Sequence, residues 1–254
     1  MNSNILTLEK IIFLKNNNFL LEAKNIVDNV IKKNGILRLY GGVAVWAKCP
    51  EQREWLAQKG RKLKDIDFIS TYKNIKIIRD VLLKKGYNET TKFQNFTSHI
   101  RREFVKDEIL VELIFDKLNY CHTIDVHNRI KNDVLTLPIS DLLLSKIQNI
   151  RLTDSDYLDL TALLLKYKIV SDITLSEELD RIVSVLCNDW PFYKTAMINS
   201  ENFIDWLRKN NMFQEVINET KDLISVLKKS KKTIKWIIQS RIYRNRSIWY
   251  NLVE

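Results

Sequence analysis

A mixed α/β module followed by a helical bundle is the fold class this sequence predicts. Three observations carry that prediction. Short apolar runs with strand character alternate with amphipathic helical stretches as far as Pro138, and beyond it only helical periodicity remains. The chain of 254 residues holds 5 Gly and 3 Pro, too few turn-forming residues for an all-β fold. Its length is enough to bury a core without disulfides or metal. The expected architecture is a mixed sheet flanked by helices over residues 1–150 and a helical bundle over 151–254. The helix after Pro138 can join either side.

Each element follows from its pattern. Phe19, Leu20, Ala23, Ile26, Val27, Val30 and Ile31 recur at helical spacing, so residues 16–33 are expected to be helical, with Gly35 supplying a left-handed stop. Ile36–Tyr40 reads as a strand ending in Gly41-Gly42, followed by a helix over Val43–Lys48 and another from Pro50 through Leu56. Leu63–Ser70 is a second strand, and Asn74–Lys85 a helix stopped by Gly86. Ser98–Val105 and Ile109–Phe115 read as a hairpin, with a further short strand at Thr123–Val126 or Val134–Leu137. After Pro138, with Ser140 or Asp141 as cap, helices are expected through Ile147 and over Asp154–Tyr167, Ser176–Leu186, Asn202–Asn210, Phe213–Lys228 and Thr233–Tyr243. In that last segment Ile234, Ile237, Ile238 and Ile242 are expected to form the packed face.

Composition bounds the function. No apolar run approaches the ~18 residues of a membrane span, and Glu9 and Lys10 interrupt the first apolar stretch, unlike a signal peptide. Three sparse cysteines (Cys49, Cys121, Cys187) are no disulfide framework, so a reducing, cytoplasmic compartment is expected. Cys121, His122 and His127 lack the spacing of a zinc finger. The net charge is +10, and residues from Lys228 to Glu254 carry eight cations against one acid. Lys231, Lys232, Lys235 and Arg241 are the candidate contacts to a nucleic acid there, and a solvated charged tail is the competing reading.

The chemistry-bearing signal is a set of misplaced carboxylates. Asp65 and Asp67 lie two apart on a strand and so share one face, with Ile66 and Phe68 on the other. Two carboxylates ~5 Å apart repel by roughly 3 kcal/mol at an effective dielectric of about 20, so the pair either binds a hard cation such as Mg²⁺ or sits at a solvated strand end. Glu112 interrupts a strand that is otherwise apolar on both faces, which calls for a partner, a metal or an edge position. Gly41-Gly42, between a strand and a helix, lets backbone N–H groups approach a phosphate, or simply makes a tight turn.

Leu39–Val45, Arg61–Phe68 and Val111-Glu112-Leu113 together resemble the nucleotidyltransferase superfamily related to DNA polymerase β. Pro138–Lys146, Arg151 and Asp156–Leu160 resemble its AbiEii-type branch, which includes toxins of toxin–antitoxin and phage-abortive systems. The resemblance spans roughly residues 36–165. It departs from the pattern at Glu112, where the third acid is usually Asp, and at Leu63, where Ser or Thr is common. It implies a nucleotidyltransferase domain in which Gly41 and Gly42 hold a triphosphate. Asp65, Asp67 and Glu112 would bind Mg²⁺ (or Mn²⁺) and carry catalysis, and Lys146 and Asp159 would contact the nucleotide. The implied reaction moves a nucleoside monophosphate from an NTP to an acceptor. RNA, and tRNA in particular, is the first expectation, with an antitoxin-like protein as a possible partner. An antibiotic of the aminoglycoside type is the alternative acceptor, and a non-catalytic nucleotide-binding module is the alternative to an enzyme.

Overall fold

A computed structural model describes residues 7–90 and 101–252. It is a mixed α/β structure with a helical C-terminal region, as the sequence predicts. The chain divides into two compact units, one of residues 1–117 and 125–138 and the other of 118–124 and 139–254. The division falls after Pro138 rather than at 150, because the helix that follows packs on the later helices.

In the first unit, α1 spans Leu8–Ile31. It begins earlier than its clearest periodicity because Thr7 caps it, its hydroxyl accepting from the Lys10 N–H, and because Ile12 and Asn16 extend the buried stripe. Its left-handed stop is Asn34 (φ 59°), not Gly35. Asn can adopt this conformation because its short polar side chain bonds locally. β1 is Arg38–Tyr40, and α2 (Gly41–Lys48) starts on the very next residue. A 3₁₀ turn at Pro50–Gln52 leads into α3 (Arg53–Gln58). β2 is Asp65–Ser70, and α4 is Ile75–Lys84, ended by Gly86 with φ at +85°.

Three further strands complete the main sheet: β3 (Asn88–Glu89), β4 (Arg101–Lys106) and β5 (Ile109–Phe115). β4 and β5 form the expected hairpin; residues 98–100 of the expected strand lie outside the described residues. Among the described residues the sheet order is β1-β2-β5-β4-β3, with the β2/β5 pair parallel and the other pairs antiparallel. One face, bearing Ile66, Phe68, Phe104, Val111 and Leu113, is fully buried. A ribbon of β6 (Lys117–Asn119) and β7 (Thr123–Asp125) takes the first proposed site of the extra strand, and the second contributes a bridge from Thr136 to Leu39.

The second unit holds α5 (Ile139–Ile147), α6 (Asp154–Lys166), α7 (Ser176–Leu186), α8 (Trp190–Lys209), α9 (Gln214–Lys229) and α10 (Ile234–Tyr243). α8 starts well before the expected Asn202. Asp189 caps it by accepting from the Phe192 N–H, and Thr195 and Asn199, both buried, interrupt the apolar period that would reveal it. The expected packed face of α10 is instead open: Ile234 is 78% exposed and Ile238 53%. α10 meets α8 through other residues. Trp236 packs edge-on against Tyr193, and Gln239 accepts from the Trp190 N–H. Among the described residues no helix is long and apolar enough to cross a membrane.

Candidate active site

The strand register assembles the carboxylates that the sequence singles out. Asp67 pairs with Glu112 across the parallel β2/β5 ladder and with Tyr40 across the β1/β2 ladder. Paired residues share a face and neighbouring strands lie ~4.8 Å apart, so Tyr40, Asp67 and Glu112 form one row, with Asp65 a step along β2. Glu103 continues the row on β4, opposite Glu112. β5 is the middle strand of five, so Glu112 does not lie on an edge, and it is only 8% exposed.

Its compensation is specific. The Tyr40 hydroxyl donates to Glu112 Oε1 at 2.9 Å, and the Arg101 guanidinium donates to Oε2 at 2.5 Å. Arg101 also lies 3.6 Å from Glu103. Both carboxylate oxygens of Glu112 are thus engaged by protein donors, which is not the arrangement expected of a metal ligand. Asp65 differs. It is half-buried, and among the described residues its carboxylate has no hydrogen-bond or ion-pair partner.

Gly41 and Gly42 are shaped by this row. Gly41 has φ at +67°, and a Cβ there would stand 1.8 Å from Asp67 Oδ2. Only glycine lets the start of α2 press against the carboxylate. A Cβ on Gly42 would meet the Arg61 guanidinium at 2.3 Å, so a fixed positive charge lies beside the turn. The segment carrying Arg61 is clamped to α1 by Asn16, whose side chain donates to the Arg61 carbonyl at 2.8 Å and accepts from the Leu63 N–H at 2.9 Å. Arg38, on the same sheet face, is buried with its Nε unpartnered among the described residues; burial lowers its pKa and Asp133 opposes that.

Four carboxylates and three guanidiniums therefore share this surface. Carboxylate oxygens suit a hard divalent cation, and Asp65 with Asp67 fit that role. Among the described residues, however, no three His, Cys, Asp or Glu side chains form a group able to hold a metal ion. The expected third donor, Glu112, is held by Tyr40 and Arg101 instead.

The remaining candidates lie in the second unit. Lys146 is neither exposed nor directed to solvent. Its ammonium bridges Asp159 at 2.8 Å and Asp156 at 3.1 Å, and Asp159 is 1% exposed. Asp156 also forms a capping box with Thr153. Lys146 and Asp159, expected to contact a nucleotide, thus bind each other. Of the four C-terminal cations, Lys232 donates to the carbonyls of Leu227 and Ser230 and lies over the Tyr193 ring, and Lys235 is 3.4 Å from Asp189. Lys231 and Arg241 are exposed. His122 stacks on Phe192 and bonds Thr195, while His127 bonds Asp116.

Sequence reasoning missed Tyr40, Arg101 and Asn16 as site-building residues. An Asn on the apolar stripe of α1 was the one visible signal, whereas Tyr40 and Arg101 become relevant only through strand pairing. In comparisons with known proteins, no family model, no curated protein and no solved structure matches this chain.

Proposed function

We propose that this chain is a nucleotidyltransferase that moves a nucleoside monophosphate from an NTP to an RNA acceptor, with Mg²⁺ or Mn²⁺ held by Asp65 and Asp67. The observation that carries the reading is the row in which Gly41 presses on Asp67 and Asp67 pairs with Glu112. The ion would supply charge neutralisation on the phosphates. The N–H groups at the start of α2 orient the triphosphate, and the Arg61 guanidinium adds a positive charge beside them. Glu112 receives the acceptor proton on its carboxylate, and Tyr40 and Arg101 hold that carboxylate in place. The acceptor oxygen forms a bond to the α-phosphorus, and pyrophosphate leaves. The resemblance to polymerase-β-like nucleotidyltransferases supports the same assignment, and an antitoxin-like partner belongs to that proposal.

One observation favours a second reading. The Arg101–Glu112 ion pair supplies from the protein the charge a metal would supply, as in a module that binds nucleotides without turning them over. Purified protein incubated with each α-labelled NTP, against total RNA and against aminoglycosides, separates the readings. Label on RNA supports the proposal. Label on the antibiotic supports a small-molecule acceptor, and NTP binding with no transfer supports the non-catalytic module. Asp65→Asn and Asp67→Asn should abolish transfer while keeping the fold, since they relieve like-charge repulsion.

A further inference from the structure

A second feature of the first unit lies at the leading end of β2. A groove of about 590 Å³ runs between the first half of α1 and the leading ends of β2 and β5. That volume is within the range of small-ligand sites. Ile11 and Phe19 of α1 and Ile109 of β5 give it apolar walls. Among the described residues Lys15, Lys62 and Lys64 line it, with Glu108 as the one carboxylate. All three lysines are exposed, and none has an ion-pair partner among the described residues. Uncompensated ammoniums around an apolar groove select a ligand with both an apolar body and negative charge.

The groove shares a segment with the Gly41-Gly42 turn. Leu63 lines it and also approaches Gly42, where a Cβ would stand 2.9 Å from Leu63 Cδ2. Lys64 directly precedes Asp65, and Ile109 directly precedes Leu110, the strand partner of Asp65. The slot therefore opens at the leading ends of β2 and β5, with Ile109 on the sheet face opposite Asp65 and Glu112.

We propose that this groove seats a nucleotide of a single-stranded RNA, with its base against Ile11, Phe19 and Ile109 and the strand's phosphates on Lys15, Lys62 and Lys64. Base stacking and phosphate neutralisation are the two terms by which single strands bind without sequence readout. That this RNA is a transfer acceptor rests on the transferase reading; the binding site does not.

The test uses the full chain and a labelled single-stranded oligoribonucleotide, followed by anisotropy across a salt series. Replacing Lys15, Lys62 and Lys64 by Gln should weaken binding roughly tenfold or more and flatten the log–log salt slope by about 2, at ~0.7 per lost phosphate contact. Ile11→Glu, which places a carboxylate in the slot from an already exposed position, should weaken binding similarly. A control variant with Lys32, Lys33 and Lys73 changed to Gln, an equal charge change on exposed sites of the same unit, should change the slope far less. Calorimetry with NTP and Mg²⁺ should give unchanged NTP affinity in the groove variants. The proposal is overturned if the groove and control variants behave alike, if NTP affinity falls instead of RNA affinity, or if poly-glutamate displaces the RNA as well as unlabelled RNA does. Groove binding that persists in a protein with no transfer activity would refute the enzyme reading and leave the RNA site standing.

Discussion

Replacing Lys146 with Met is expected to cost the protein far more than an ordinary lysine substitution. Met keeps most of the apolar stem, so the loss is mainly that of the charge. The change leaves Asp159, 1% exposed, without the ammonium now 2.8 Å away. Breaking a buried pair in this way costs about 3–5 kcal/mol. Protonation sets a ceiling on that figure. A carboxyl with an unfolded pKa of about 3.9 can take a proton at pH 7 for about 4 kcal/mol, and at pH 5 for about 1.5 kcal/mol. The variant should therefore lose about 4 kcal/mol at pH 7 and under half of that at pH 5. A second change, Asp159→Leu, should recover most of the loss because no buried charge remains. Urea unfolding read by both far-UV circular dichroism and tryptophan fluorescence gives the free energies, with coincident transitions as the check on two-state behaviour. A loss under 0.5 kcal/mol at pH 7, or one that does not shrink at pH 5, would refute the buried-pair argument and return Lys146 to an ordinary solvated role.

Three more outcomes follow from the same geometry. Gly41→Ala should destabilise the fold by about 2 kcal/mol, from its positive φ alone, and should lower transfer more than tenfold because its new Cβ would stand 1.8 Å from Asp67 Oδ2 and push that carboxylate away; thermal melts and the labelled-NTP assay check the two parts. His122 is buried against Phe192 with its pKa lowered to about 4, burial being the cause and Asp189 opposing it. The unfolded chain then binds the extra proton between pH 6.5 and 4, so this contribution is complete above pH 6.5 and is lost as pH falls. Stability should drop by about 2 kcal/mol from pH 7 to pH 5, and His122→Leu should remove that dependence in urea melts. Changing Lys231, Lys232 and Lys235 to Glu should weaken tRNA binding and flatten its salt slope, but less than three free cations would, because Lys232 and Lys235 already have protein partners; an unchanged slope makes the segment a solvated surface.

How much of this was legible in the sequence depends on which forces set each element. β5 and α7 have the boundaries their patterns predict, because β5 is apolar at every position but Glu112 and α7 keeps its helical period. The shared face of Asp65 and Asp67 is a matter of local alternation alone. The neighbour of Asp67 is not, since the pairing with Glu112 depends on a parallel register between distant segments. That is also why Tyr40 and Arg101 escaped notice. α8 was hidden by buried polar groups whose work is hydrogen bonding: Asn199 donates to the carbonyls of Ile147 and Asn149. In α10 the apolar stripe was clear but its direction was not. A helix with isoleucines on one side and Trp236, Gln239 and Tyr243 on another has two candidate packing faces, and α8 takes the aromatic one.

The central claim is that the Gly41–Asp67–Glu112 row performs nucleotidyl transfer. Its most direct test is incubation of the purified protein with each α-³²P-labelled NTP, Mg²⁺ and total RNA, beside the Asp65→Asn and Asp67→Asn variants, with radiolabelled RNA and released pyrophosphate measured together. The account predicts label on RNA with an equal amount of pyrophosphate from at least one NTP, absent in both variants and without Mg²⁺ or Mn²⁺. Absence of label from every NTP with folded protein, or undiminished transfer by either variant, would contradict it.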